Sequence, residues 1–181
     1  MSLRKTFTGT GIAIVTPFNA DGTIDWASYK RLIGFWIEGK VEYLVVLGTT
    51  GESATVHGAE KQEVFTFVKN EVAGRVPIVA GIGGNDTHEV VKQFREFDLS
   101  GYDAILSVSP YYNKPNQEGI YQHYKALDAA TPLPIIMYNV PGRTGMSVSA
   151  ETTLRIARDC PNIFATKEAS GNFDLINQLI K

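Results

Sequence analysis

The sequence contains a single cysteine, Cys160, in 181 residues. An internal disulfide is therefore excluded, and the composition suits a reducing compartment such as the cytoplasm. Cys160 precedes Pro161 and reads as a structural thiol near a helix end. Basic clusters are absent beyond Arg4-Lys5, and the formal net charge is -2. Nucleic acid and anionic membrane surfaces are thus not expected partners. No apolar run approaches the roughly 20 residues of a membrane span, and "MSLRKTFTG" has no signal-peptide apolar region. The three histidines, His57, His88 and His123, fall in separate segments without ligand spacing. With one cysteine no metal site is expected, and each histidine reads as a surface or capping residue. Low-complexity stretches, linkers and close repeats are also missing.

What is present is alternation. Hydrophobic residues make up 44% and charged residues 20% of the chain, an ordinary globular balance. Short apolar runs read as strands: "GIAIVTPF" (11–18), "YLVVLG" (43–48), "VPIVAGIG" (76–83), "YDAILSVS" (102–109), "LPIIMYNV" (133–140) and "IFATKEAS" (163–170). Helical spacing follows each. Asp25 can cap a helix bearing Trp26, Tyr29, Leu32, Ile33 and Trp36. A second helix is expected over about 58–73. Thr87 can cap a third that runs through Phe97, with Val90, Val91 and Phe94 inward. A fourth is expected over about 117–129. Ser149 can cap a fifth that reaches about Asp159, and "FDLINQLIK" opens a sixth.

Nearly continuous apolar strands alternating with helices indicate a parallel sheet covered on both faces. Two architectures remain, an open doubly wound sheet and a (β/α)8 TIM barrel. Polar chemistry recurs at the C-terminal ends of several strands: "GTTGES", "GIGGND", "SPYYNKP", "YNVPGRTG" and "KEASG". Barrel sites are assembled there, whereas an open sheet gathers ligands at one switch point. "GIGGND" lacks the dinucleotide spacing, and "GTTGES" lacks the Walker lysine. The expectation is an α/β chain with a single barrel domain over 1–181. It supplies about the first six βα units of eight, is incomplete at its C-terminus, and leaves the edges of its first and last strands open.

Lys167 is the residue that breaks the pattern. Strand alternation puts Ile163, Ala165, Lys167 and Ala169 on one side, with Phe164, Thr166 and Glu168 opposite. A lysine facing the interior is desolvated, partly neutral near pH 7, and able to attack a carbonyl to form a Schiff base. The bland alternative is a structural lysine paired with a carboxylate, for which Glu168, on the other side, is a poor candidate. Tyr138 ends the neighbouring strand, and its phenol can shuttle protons to such an amine; otherwise it is a core tyrosine. Thr49 and Thr50 offer hydroxyls and N–H groups in a glycine-flanked turn that suits a carboxylate or phosphate oxygen, or they serve the turn alone. Arg143 in "PGRTG" suits bidentate capture of a carboxylate, or is a solvated loop residue. Tyr111 and Tyr112 read as lid, interface or packing aromatics.

Taken in order, "GTTGES", "SPYYNKPNQEG", "YNVPGRTG" and "KEASGN" resemble the dihydrodipicolinate synthase family, over about residues 7–181. The resemblance implies a (β/α)8 barrel followed by a helical region, usually in a homotetramer built of two tight dimers. It implies condensation of pyruvate with aspartate-4-semialdehyde, on the route to diaminopimelate and lysine. No cofactor is implied beyond the covalent imine on Lys167. The resemblance makes Lys167 the Schiff-base lysine, and Tyr138, Thr49 and Tyr112 the proton relay, with Tyr112 reaching across the tight-dimer interface. Thr50 would hold the pyruvate carboxylate and Arg143 that of the semialdehyde. Ser53, Ala54, Asn85, Glu89 and Tyr111 match the family's lysine-effector site. Gly58 and Lys61 stand where sensitive members often carry histidines, so weak lysine inhibition is expected. The same superfamily holds N-acetylneuraminate lyase and 2-keto-3-deoxy sugar acid aldolases, which usually lack the arginine of "GRTG". A third possibility, raised by the missing βα units, is an inactive fragment or a module that only binds a partner.

Overall fold

The computed structural model describes residues 2–180. It divides into two compact units, Met1–Gly81 with Phe97–Ala104, and Ile82–Glu96 with Ile105–Lys181.

The first unit opens with α1 (Leu3–Thr6) and continues through β1 (Gly11–Ala13), α2 (Trp26–Glu38), β2 (Tyr43–Val46), a 3-10 turn at Thr49–Gly51, α3 (Gly58–Val72) and β3 (Ile78–Gly81). β1 pairs parallel with β2, and β2 with β3. β1 is shorter than the apolar run 11–18 predicts. Pro17 has no N–H to give a ladder, and Thr16 turns inward to donate its hydroxyl to the Gly51 carbonyl at 2.8 Å. Asp25 caps α2 as expected, accepting from the Ser28 N–H at 2.9 Å. Tyr29 and Ile33 are the fully enclosed residues of that helix. They join Leu44, Val46, Val64, Phe65 and Val68 in the core of this unit. A β-carbon at Gly81 would lie 2.1 Å from the Leu47 carbonyl oxygen, so the end of β3 tolerates only glycine where the chain leaves β2.

The second unit contains α4 (Thr87–Glu96), all but the first residue of β4 (Ala104–Val108), α5 (Gln117–Ala130), β5 (Ile135–Asn139), the short α6 (Pro141–Thr144), α7 (Ala150–Asp159), β6 (Ile163–Glu168) and α8 (Phe173–Leu179). β4, β5 and β6 form consecutive parallel pairs. All of β5 is buried, which is why it reads as an uninterrupted apolar run. β6 is different: only Ile163 is fully buried. Ser149 caps α7 as expected, accepting from the Thr152 N–H at 3.1 Å. The cap of α4 needs correction. Asp86, not Thr87, accepts from the N–H groups of His88 (2.9 Å) and Glu89 (3.3 Å). A carboxylate one residue earlier is the better acceptor for the helix's orphan donors. Thr87 instead bonds the His123 ring at 2.8 Å. His123 is therefore a second correction: it is 3% exposed in α5, not a surface or capping residue, and burial lowers its pKa to about 4. Cys160 closes α7, and burial, helped by the nearby carboxylates of Asp128 and Asp159, pushes its thiol up to about 11.

Candidate active site

In the second unit, the C-terminal ends of β5 and β6 bring two predicted residues together. Tyr138 and Lys167 are direct register partners. The Lys167 ammonium nitrogen lies over the Tyr138 ring, 4.4 Å from its centroid. Both side chains therefore leave the same face of the sheet, as the alternation requires. Burial lowers the Lys167 pKa below the ordinary lysine value. The enclosure is partial, however, and Lys167 is exposed rather than sealed in a core. The reason is its strand: among the described residues β6 bonds to β5 alone.

Glu168 does not neutralise this lysine. Its carboxylate accepts from the Asn139 amide at 2.8 Å and from the Ser170 N–H at 2.8 Å. Asn139 is fully buried and belongs to the opposite face of β5. Its amide also reaches the Ser147 hydroxyl at 3.3 Å, and its oxygen accepts from the Val148 N–H at 3.1 Å. This one side chain fixes β6 to β5 and folds the loop before α7 against both. Behind Tyr138, the Ser109 N–H donates to its carbonyl at 3.1 Å and ties the end of β4 to β5.

Arg143 stands in α6, exposed and free of any ion pair among the described residues. The turn beneath it is held by the buried Thr144 hydroxyl, which donates to the Met146 carbonyl at 2.7 Å. Tyr112 is 83% exposed and has a φ of 72°. The Asn113 N–H donates to the Tyr111 carbonyl at 3.0 Å across it, closing a tight turn that a bulky residue adopts only under strain.

In the first unit, Thr49 and Thr50 form the 3-10 turn after β2. Thr49 is half-buried and Thr50 exposed. Leu47 and Glu52, on either side, take left-handed φ values of 51° and 55°. Thr16 clamps the turn through the Gly51 carbonyl. Ser53 and Ala54 follow in the same loop, while Asn85, Glu89 and Tyr111 belong to the second unit. Glu89 pairs with Lys92 at 3.5 Å on its own helix. Thr16 and Asn139 escaped the sequence reading. Their signal is a polar residue at the C-terminal end of an apolar run, and both occupy that position. No group of three or more His, Cys, Asp or Glu able to hold a metal occurs among the described residues.

Residues 6–181 match the model of the dihydrodipicolinate synthetase family. The chain belongs to that family. It is 52% identical over 173 residues to the 4-hydroxy-tetrahydrodipicolinate synthase of Parabacteroides distasonis, covering 96% of this chain and 58% of that protein. The dihydrodipicolinate synthase of Thermotoga maritima superposes with a TM-score of 0.92 at 44% identity, covering 97% of this chain and 59% of that one. The lysine-bound enzyme of Cyanidioschyzon merolae gives a TM-score of 0.90 at 42% identity, over 96% and 60%. The fold class is thus α/β of the TIM-barrel kind, with six βα units present here. The chain spans a little under two thirds of the length of the relatives it matches.

Proposed function

We propose that the protein containing this chain condenses pyruvate with aspartate-4-semialdehyde to 4-hydroxy-tetrahydrodipicolinate, in the cytoplasm, on the route to diaminopimelate and lysine. The observation that carries the reading is the Lys167–Tyr138 pair, in a chain of this family: a lysine of lowered pKa beside a phenol at the ends of adjacent strands. Neutral Lys167 attacks the pyruvate ketone, and loss of water leaves an imine. The protonated imine withdraws electrons, so the pyruvate methyl loses a proton and becomes an enamine. The enamine carbon bonds to the aldehyde carbon, whose oxygen takes a proton. The product's own amine then displaces Lys167 as the ring closes. Each step moves a proton, which is the work a hydroxyl relay performs.

The register of Tyr138 with Lys167 supports its part in that relay. The roles of Thr49 in the relay and Thr50 on the pyruvate carboxylate follow from family resemblance, as does that of Tyr112, which would enter a partner's site in a tight dimer of a homotetramer. The exposure and strain of Tyr112 support an interface role. Arg143 would take the semialdehyde carboxylate. Feedback by lysine is weak or absent in this reading, because Lys61 on α3 sets a cation where the effector's ammonium would come; strong inhibition by submillimolar lysine would overturn it.

The deciding experiment is borohydride reduction with pyruvate and peptide mapping of the complete protein, followed by the semialdehyde assay. A pyruvyl adduct on Lys167 and turnover of the semialdehyde are expected. A folded sample without an adduct refutes the Schiff-base mechanism. An adduct with cleavage of sialic acid and no semialdehyde turnover would instead select a sugar-acid lyase.

A further inference from the structure

Two loops of the second unit meet beside Arg143. The loop after β4 carries Lys114, two residues past Tyr112, with a left-handed φ of 50°. The turn after α6 carries Gly145, two residues past Arg143, with a φ of 73°. The stem of Lys114 lies on that turn. A β-carbon at Gly145 would come within 2.9 Å of Lys114 Cε and 3.7 Å of its ammonium nitrogen. Glycine therefore does two things here: it accepts the left-handed conformation, and it leaves room for the lysine to cross.

The charge around this crossing is one-sided. The segments "SPYYNKPNQ" (109–117) and "NVPGRTGMSVS" (139–149) hold two cations and no aspartate or glutamate. Neither Lys114 nor Arg143 has an ion-pair partner among the described residues. Of the carboxylates that flank these segments, Glu118 is engaged by Arg155, and Glu151 stands in the first turn of α7 without an ion pair to either cation; Glu168 is held by Asn139 and Ser170. Two cations on touching loops, neither with an ion-pair partner, leave a local excess of positive charge that favours an anion.

We propose that Lys114 is a second carboxylate-binding cation of the site, acting beside Arg143 to select an acidic aldehyde acceptor. The inference rests on the function proposed above and deepens it. Arg143 supplies a planar fork that fixes the orientation of a carboxylate, and Lys114 supplies a mobile point charge that draws it in. Pyruvate, held at the lysine end by other groups, should not sense Lys114.

The test uses the complete protein with Lys114→Gln and Lys114→Arg. The KM for the aldehyde is measured at saturating pyruvate, at about 20 and about 200 mM salt, beside the pyruvate KM and the yield of the borohydride-trapped adduct. Lys114→Gln should raise the aldehyde KM roughly five- to twenty-fold at low salt, the loss of one charge-assisted contact. It should flatten the salt dependence and leave pyruvate KM and adduct yield unchanged. Lys114→Arg should recover most of the affinity. An aldehyde KM that stays within about two-fold in Lys114→Gln overturns the proposal. So does a parallel loss of pyruvate affinity or adduct, which marks a structural role. Absence of any adduct in the unsubstituted protein removes the proposed function itself, a result distinct from either.

Discussion

Lys167 sits under two opposed electrostatic influences. The face of the Tyr138 ring favours the ammonium, by about 0.5–1 kcal/mol at a site open to water. Loss of water around the side chain favours the amine. Burial is the cause of the lowered Lys167 pKa. A depressed lysine is neutral over a wider range: protonated below its folded pKa, nucleophilic above it. With pyruvate and borohydride, the rate of adduct formation should therefore rise with pH and level off below the ordinary lysine value of about 10.4. A rate still climbing at that pH would contradict the lowered pKa. Lys167→Arg keeps a cation that never deprotonates. It should abolish the adduct and cut kcat by roughly a thousand-fold or more while the protein stays folded. Tyr138→Phe keeps the ring and removes the hydroxyl. It should leave the adduct on Lys167 but slow its formation by about a hundred-fold, the scale of one general acid–base contribution.

Between elements, the contact that governs pH sensitivity is the one from α4 to α5. His123 is enclosed there, its ring bonded to the Thr87 hydroxyl, in a groove whose other lining includes His88 and Arg95. Its pKa is about 4 when folded against about 6.5 in an open chain. The unfolded state thus binds a proton first as pH falls. The stability gained from burying a neutral ring is complete above pH 6.5 and is lost as pH drops toward 4. The loss is on the order of 3 kcal/mol. Urea titrations from pH 7 to 4 should show it, and His123→Gln should remove most of this pH-dependent component; an unchanged slope in the variant would reassign it. The sequence made the order of elements legible, because helical and strand periods switch cleanly and Asp25 and Ser149 mark true helix starts. It also pointed to Lys167 and Tyr138, since a lysine and a tyrosine inside apolar runs violate the expected pattern. It hid His123, whose burial depends on a helix more than thirty residues away. It misplaced the cap of α4, because Asp86 and Thr87 are adjacent and both are capping types. It gave no sign of the Lys114–Gly145 crossing, which depends on two loops with left-handed residues.

Over the whole chain, the exposed backbone edges and apolar surface decide how these residues behave on their own. Among the described residues β1 bonds only to β2, and β6 only to β5. Beside β6, an apolar hollow of about 200 Å³ is lined by Met137, Ile156, Phe164 and Leu179. Phe173 and Ile180 on the adjoining segment are 78% and 76% exposed. Unpaired parallel edges with apolar flanks favour association. A net charge of -2 opposes it only weakly. Lys167 and Glu168 interrupt the β6 edge and act as partial gatekeepers, so reversible association is expected in preference to fibrils. The 181-residue chain, prepared alone, should sediment as a concentration-dependent mixture and bind an apolar dye. Phe173→Glu with Ile180→Lys should shift that mixture toward the 19.9 kDa species. Neither side chain is packed. A carboxylate in the first turn of α8 also suits the helix N-terminus, so the exchange should cost little stability. A sharp monomer boundary at every concentration in the unsubstituted chain would show that the edges are protected by something other than a neighbouring strand. Association unaltered by the double substitution would place it at the strand edges and not at the apolar patch.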